Sequence, residues 1–131
     1  MDDMERIKKE KMEEWMKGKN GEQTVINVSD ETFEERVLKR SKKVSVIVDF
    51  WAPWCIPCTV LGPALEKVVE ESDGKVVLAK VNVDEHKLMA QKYGVMGIPA
   101  VKLFKNGEIV DEFVGLRPEQ AIREWLDRNI Q

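Results

Sequence analysis

Cys55 and Cys58 are the only two cysteines of the chain, and they stand together in VIVDFWAPWCIPC, residues 46–58. A thiolate attacks a disulfide, and a thiol does not. The residues before the pair are β-branched and apolar. After it, Val60, Leu61, Leu65, Val68 and Val69 follow a helical period. Cys55 therefore falls at a helix N-terminus, where unpaired N–H groups and the macrodipole favour negative charge and ease ionisation of a thiol. Cys58 lies one helical turn further and on the same side, within reach of the first sulfur. The spacing assigns Cys55 as the attacking sulfur and Cys58 as the resolving one. Pro57 stiffens the turn between them, and Trp54 flanks the first sulfur.

A second group in the same stretch is out of place. Asp49 interrupts an apolar strand, where a carboxylate without a partner is costly and its pKa rises. Such a group suits proton transfer near neutral pH. The competing reading of the cysteines is half a zinc knuckle or two ordinary buried thiols. A second ligand pair is missing for zinc, since His86 is the only histidine and reads as a solvated helix residue. No metal is expected. No cofactor is implied either, because the chain carries no glycine-rich dinucleotide fingerprint.

These residues need elements to hold them. TVINV, 24–28, reads as a short strand. Ser29-Asp30 can cap a helix over DETFEERVLKR with Phe33, Val37 and Leu38 inward. VSVIVDF, 44–50, is apolar enough to be buried on both faces. The helix after the cysteines contains Pro63, expected to kink it, and ends at Asp73-Gly74. KVVLAKVNVD, 75–84, is a second central strand. Asp84 is expected to cap the short helix EHKLMAQKY, which Gly94 stops. Residues 100–115 form a hairpin around Asn106-Gly107, and Pro118 opens a last amphipathic helix. The order β-α-β-α-β-α-β-β-α gives an α/β domain with helices on both faces of a sheet, the early crossovers parallel and the last pair antiparallel.

The whole chain fits that frame. Its 131 residues are 43 % apolar and 34 % charged, which suits one globular domain. A net charge of −3 argues against nucleic acid or an acidic membrane as partner. No apolar run approaches a membrane span. The first twenty residues are charged throughout, with no secretory apolar core, so the cytosol is the expected compartment. Residues 1–21 read as an appendage with a helix over 3–17, its Met and Trp residues on one side, and residues 22–131 as the domain proper.

Over residues 22–131 the sequence resembles the thioredoxin family. The matching text is VDFWAPWCIPC at 48–58, Pro63, LAKVNVD at 78–84, YGVMGIPA at 93–100, LFKNGE at 103–108 and Val114-Gly115. The resemblance implies a five-stranded mixed sheet flanked by four helices, and a thiol–disulfide oxidoreductase that reduces protein disulfides. It implies disulfide-containing protein substrates and a thioredoxin reductase as electron donor. It places Asp49 beneath the cysteines as the base for Cys58, with Lys80 beside it. It makes Ile98-Pro99 a cis peptide facing the cysteines. Trp54, Ile56, Pro57, Met96, Gly97, Ile98, Pro99 and Gly115 then form the substrate surface. Cys-Ile-Pro-Cys-Thr departs from the family's usual Cys-Gly-Pro-Cys-Lys at Ile56 and Thr59, which bears on potential and partners. Two alternatives accompany this reading: a disulfide oxidase or isomerase of the same fold, and a non-catalytic interaction module.

Overall fold

In the computed structural model, which describes residues 23–130, the apolar run ahead of the cysteines becomes the middle strand of a five-stranded sheet. The elements are β1 (Val25–Asn27), α1, β2 (Ser45–Trp51), α2 (Ile56–Glu71), β3 (Val76–Asn82), α3 (Lys87–Lys92), β4 (Ala100–Lys105), β5 (Glu108–Val114) and α4 (Glu119–Ile130). The irregular helix α1 is a π-helical segment, Glu34–Lys39, running into a 3-10 turn, Arg40–Lys42. The strand order is β1-β3-β2-β4-β5. β3 lies parallel to β1 and β2, whereas β4 is antiparallel to β2 and β5. The sheet is therefore mixed, as the element order requires.

Alternation along the strands divides the core in two. Val46, Val48 and Phe50 of β2 face α1 and α3, where Phe33, Val37, Met89 and Tyr93 pack on them. Ile47 faces the other way, towards Leu61, Leu65 and Val68 of α2 and Ile122, Trp125 and Leu126 of α4. Each of these side chains, when fully buried, contributes about 1.5–3 kcal/mol of transfer free energy. Asp49 shares the Ile47 side, and in β3 Lys80 is its register partner.

Turn chemistry closes the elements where expected. Asn106 and Gly107 both have positive φ, 53° and 82°, the two-residue hairpin conformation that joins β4 to β5. Gly94 stops α3 at φ 64°. α2 runs through Pro63 as one element. Proline has no N–H to give, so the Thr59 carbonyl loses its ordinary helical donor.

Two local expectations are corrected. α1 is π-helical and 3-10, not a regular α-helix, although Phe33 and Val37 are buried as its period requires. Asp84 does not cap α3. That helix begins beyond it, and the N–H groups of Leu88 and Met89 donate instead to Asp30 at 3.3 and 3.0 Å. Tertiary packing brings Asp30 to the helix start, while Asp84 turns towards Trp54. The expected helix over 3–17 lies outside the described residues. Among the described residues no helix is long and apolar enough to cross a membrane.

Candidate active site

Both cysteines sit where β2 hands over to α2. Cys55 is the N-cap, with φ −86° and ψ 105°, and α2 starts at Ile56. The strand has ended, so Cys55 is extended; its carbonyl already accepts from the Thr59 N–H at 3.2 Å. Its sulfur occupies the position of a capping oxygen and accepts from the Cys58 N–H at 3.3 Å. Pro57 falls in the first turn, where a missing N–H costs nothing. Cys55 and Cys58 form a disulfide, with Cα atoms 5.2 Å apart, so the structure is that of the oxidised protein. Only 5 % of Cys55 and 3 % of Cys58 are exposed. They pack on Ala52, Trp51, Val83 and Ile98.

The loop before β4 faces them. Ile98-Pro99 is cis, and the Ile98 carbonyl oxygen lies 3.9 Å from Cys55 Sγ. The Gly115 N–H donates to the Pro99 carbonyl at 2.8 Å, tying the end of β5 to this loop. Around the pair, Trp54 is 67 %, Ile56 75 % and Met96 98 % exposed, a large apolar surface for residues that burial would favour. Pro57 and Gly97 are also exposed, Ile98 and Gly115 are half-buried, and Pro99 is buried. Ile98 both packs in the core and borders the sulfurs. Met96 is purely surface.

Asp49 lies on the α2 side of β2. It is 1 % exposed, and neither carboxylate oxygen has a hydrogen-bond partner. Burial raises its pKa from 3.8 to about 7; Lys80 pulls it down and Glu66 pushes it up. A cavity of about 230 Å³ joins Asp49 to Cys58, with Trp51, Thr59, Gly62, Pro63, Glu66 and Lys80 completing the wall. Lys80 Nζ sits 5.2 Å from the Trp51 ring centroid, a cation–π contact that holds the ammonium over the cavity. A Cβ on Gly62 would lie 3.7 Å from that nitrogen.

The arrangement gathers Cys55, Cys58, Asp49 and Lys80 at one end of the sheet. Sequence reasoning missed three contributors. Asp84 accepts from Trp54 Nε1 through both oxygens, at 3.2 and 3.0 Å, and so steadies the exposed indole. Glu66 and Gly62 line the cavity. Their signal was present, since Cys58, Gly62 and Glu66 recur every four residues and share one helix stripe. A larger open groove of about 770 Å³ lies between Gln23, Arg36, Arg40 and Lys43. It borders the start of β2 and is thus at the opposite end of the sheet from the cysteines.

Comparison with known proteins agrees with this geometry. The family model described as thioredoxin matches residues 24–128. A thioredoxin of Rickettsia bellii is 46 % identical over 104 residues, covering 79 % of this chain and 97 % of the relative. A thioredoxin of Chlorobaculum thiosulfatiphilum is 40 % identical over 105 residues, 80 % of this chain and 95 % of the relative. A mitochondrial thioredoxin of Bos taurus is 44 % identical over 108 residues, 82 % of this chain and 64 % of the relative. With its Cys-x-x-Cys pair joined at the head of α2 and a family match spanning its sheet and helices, the chain belongs to the thioredoxin family and is a dithiol–disulfide oxidoreductase.

Proposed function

We propose that this chain reduces disulfides in protein substrates in the cytosol and is returned to the dithiol by a thioredoxin reductase, with residues 22–131 as the working domain. The observation that carries the reading is the Cys55 sulfur at the α2 N-cap, bonded to Cys58 and accepting its N–H. In the reduced protein the same N–H and the helix dipole stabilise a thiolate at Cys55. That thiolate attacks a substrate disulfide. A mixed disulfide forms through Cys55, and the first substrate sulfur leaves.

Cys58 then gives its proton to Asp49 and attacks Cys55, which frees the second substrate sulfur. A carboxyl group with pKa about 7 is half ionised at neutral pH, so it both takes and releases a proton there. Lys80 offsets the charge of the Asp49 carboxylate before it takes the proton and after it releases it. Trp54, Ile56, Pro57, Met96, Gly97, Ile98, Pro99 and Gly115 receive the substrate chain, whose backbone pairs with that of Ile98.

Insulin reduction tests the reading. The wild-type protein turns over with a reductant supplied. Cys55→Ser is inert, and Cys58→Ser halts as a mixed disulfide through Cys55. Turnover that survives Cys55→Ser would sink it. A reduction potential near about −120 mV, as in strong oxidants, would reverse the proposed direction.

A further inference from the structure

The cavity under Cys58 is edged by two carboxylates, and the reaction as written uses only Asp49. Glu66 is half-buried on the same wall, and its carboxylate makes no hydrogen bond or ion pair with another described residue. The groups that face Asp49 are Cys58 and Glu66 from α2, Lys80 from β3 and the Trp51 indole from its own strand. They differ in what they can do with a proton. An ammonium and an indole N–H donate only. The Thr59 hydroxyl already donates to the Ile56 carbonyl at 2.7 Å. Glu66 is the carboxylate acceptor between the buried floor and solvent. Gly62, midway between Cys58 and Glu66 on the stripe, places no side chain between them. The cavity of about 230 Å³ has Asp49, Glu66 and Lys80 in its wall and room for several waters to span the gap.

We propose that Glu66 is a positioning residue for the exchange: its charge raises the pH at which Asp49 lets go of the proton taken from Cys58, and its carboxylate hands that proton to solvent. The proposal rests on Asp49 acting as the base. The step balances. The Cys58 proton goes to Asp49, the Cys58–Cys55 bond forms as the Cys55–substrate bond breaks, and the substrate leaves as a thiolate that water protonates. Asp49 then returns to carboxylate by releasing its proton through the cavity. The substrate disulfide is the oxidant and the Cys55–Cys58 dithiol the reductant, and no further co-reactant is needed.

The test has two readouts. Carbon NMR titration of the Asp49 carboxyl in the oxidised protein follows its charge directly. A like charge removed from the cavity lowers the midpoint, by about half a pH unit in Glu66→Gln and more in Glu66→Lys, with Glu66→Asp close to wild type. Single-turnover resolution of a Cys55 mixed disulfide should shift its pH profile in the same direction. Added acetate should speed Glu66→Gln and leave the wild type unchanged. An unmoved midpoint in Glu66→Gln overturns the proposal, and absent acetate rescue overturns the hand-off. Asp49→Asn separates this from the underlying reading. If it keeps the wild-type profile, Asp49 is not the base and the proposal falls with it. If it loses the profile while Glu66→Gln leaves the midpoint in place, only Glu66 is excluded.

Discussion

On one side of the sheet Val46, Val48 and Phe50 meet a cluster of aromatics, with Phe33, Tyr93 and Phe104 packed in tilted and edge-to-face pairs at centroid distances of 5.4–5.8 Å. On the other, one residue out of step, Ile47 is followed by Asp49 over a cavity that holds a cation and a second carboxylate. The same strands build both sides. The aromatic side fills its space with apolar contacts and gains stability. The cysteine side gives up packing near Cys58 and keeps a buried group that titrates near neutrality. The contrast teaches that a single strand can carry a buried, unpartnered carboxylate on one side while its other side is fully packed.

The sharpest way to break the contrast is to open a hole in the aromatic side. Phe33→Ala removes a side chain that is 1 % exposed and touches both Tyr93 and Phe104. Such truncations cost about 3–5 kcal/mol. Urea unfolding should show that loss, whereas the pH profile of disulfide exchange should stay where it is. A displaced profile would mean that the two sides are mechanically coupled.

The cysteine side responds to pH instead. The pKa of Asp49 is raised by folding, so the native state binds more protons than the unfolded chain between about pH 4 and about pH 7. Its stabilising contribution is complete below pH 3.8 and is lost as pH rises through about 7. The shift amounts to ~4 kcal/mol at most between those limits. Asp49→Asn should therefore flatten stability across this window and make the oxidised protein more stable than wild type at about pH 8. A wild-type curve that rises with pH there would contradict the buried, unpartnered carboxylate.

How much of this was readable differs between the two sides. The aromatic side was legible in part: the apolar run 44–50 marked a strand buried on both faces, and Phe33 and Val37 marked the inward side of the helix that covers one of them. The cysteine pair was legible because its two residues lie on one helical turn, and Asp49 because a charge in an apolar strand is conspicuous. The resemblance, not the spacing, supplied Lys80 and the cis Ile98-Pro99 peptide. Glu66 shares the Cys58 stripe, but the sequence does not reveal that this stripe overhangs an incompletely filled space. Asp30 took the cap expected of Asp84 for a similar reason. Both are good caps by type, and the choice between them was made by contacts 58 and 59 residues apart in sequence.

The α3 cap gives a smaller test on the aromatic side. α3 has no fully buried residue, so it depends on Met89, Ala90 and Tyr93 packing and on its cap. Asp30→Ala leaves the Leu88 and Met89 N–H groups without their acceptor and should cost about 1 kcal/mol, within the usual range for lost caps. Asp84→Ala should leave α3 intact and alter the fluorescence of Trp54, whose Nε1 loses its acceptor. Equal losses in the two variants would restore Asp84 as the cap.

The smallest effect is the most telling about the cavity. Gly62 occupies a helix interior, where glycine is less favourable than alanine by about 1 kcal/mol. A Cβ there meets only Lys80 Nζ, at the ordinary contact distance of 3.7 Å, so no clash opposes the substitution. Gly62→Ala should stabilise the fold by about 0.4–1 kcal/mol in urea unfolding. The methyl group also enters the stripe between Cys58 and Glu66, on the wall of the space that serves Asp49. Alkylation of reduced Cys55 should proceed at the wild-type rate, because the α2 N-terminus is untouched, while resolution by Cys58 slows. A variant that is both more stable and equally fast in resolution would mean the glycine serves no purpose in the exchange, and that the open space beside Lys80 is only a packing defect.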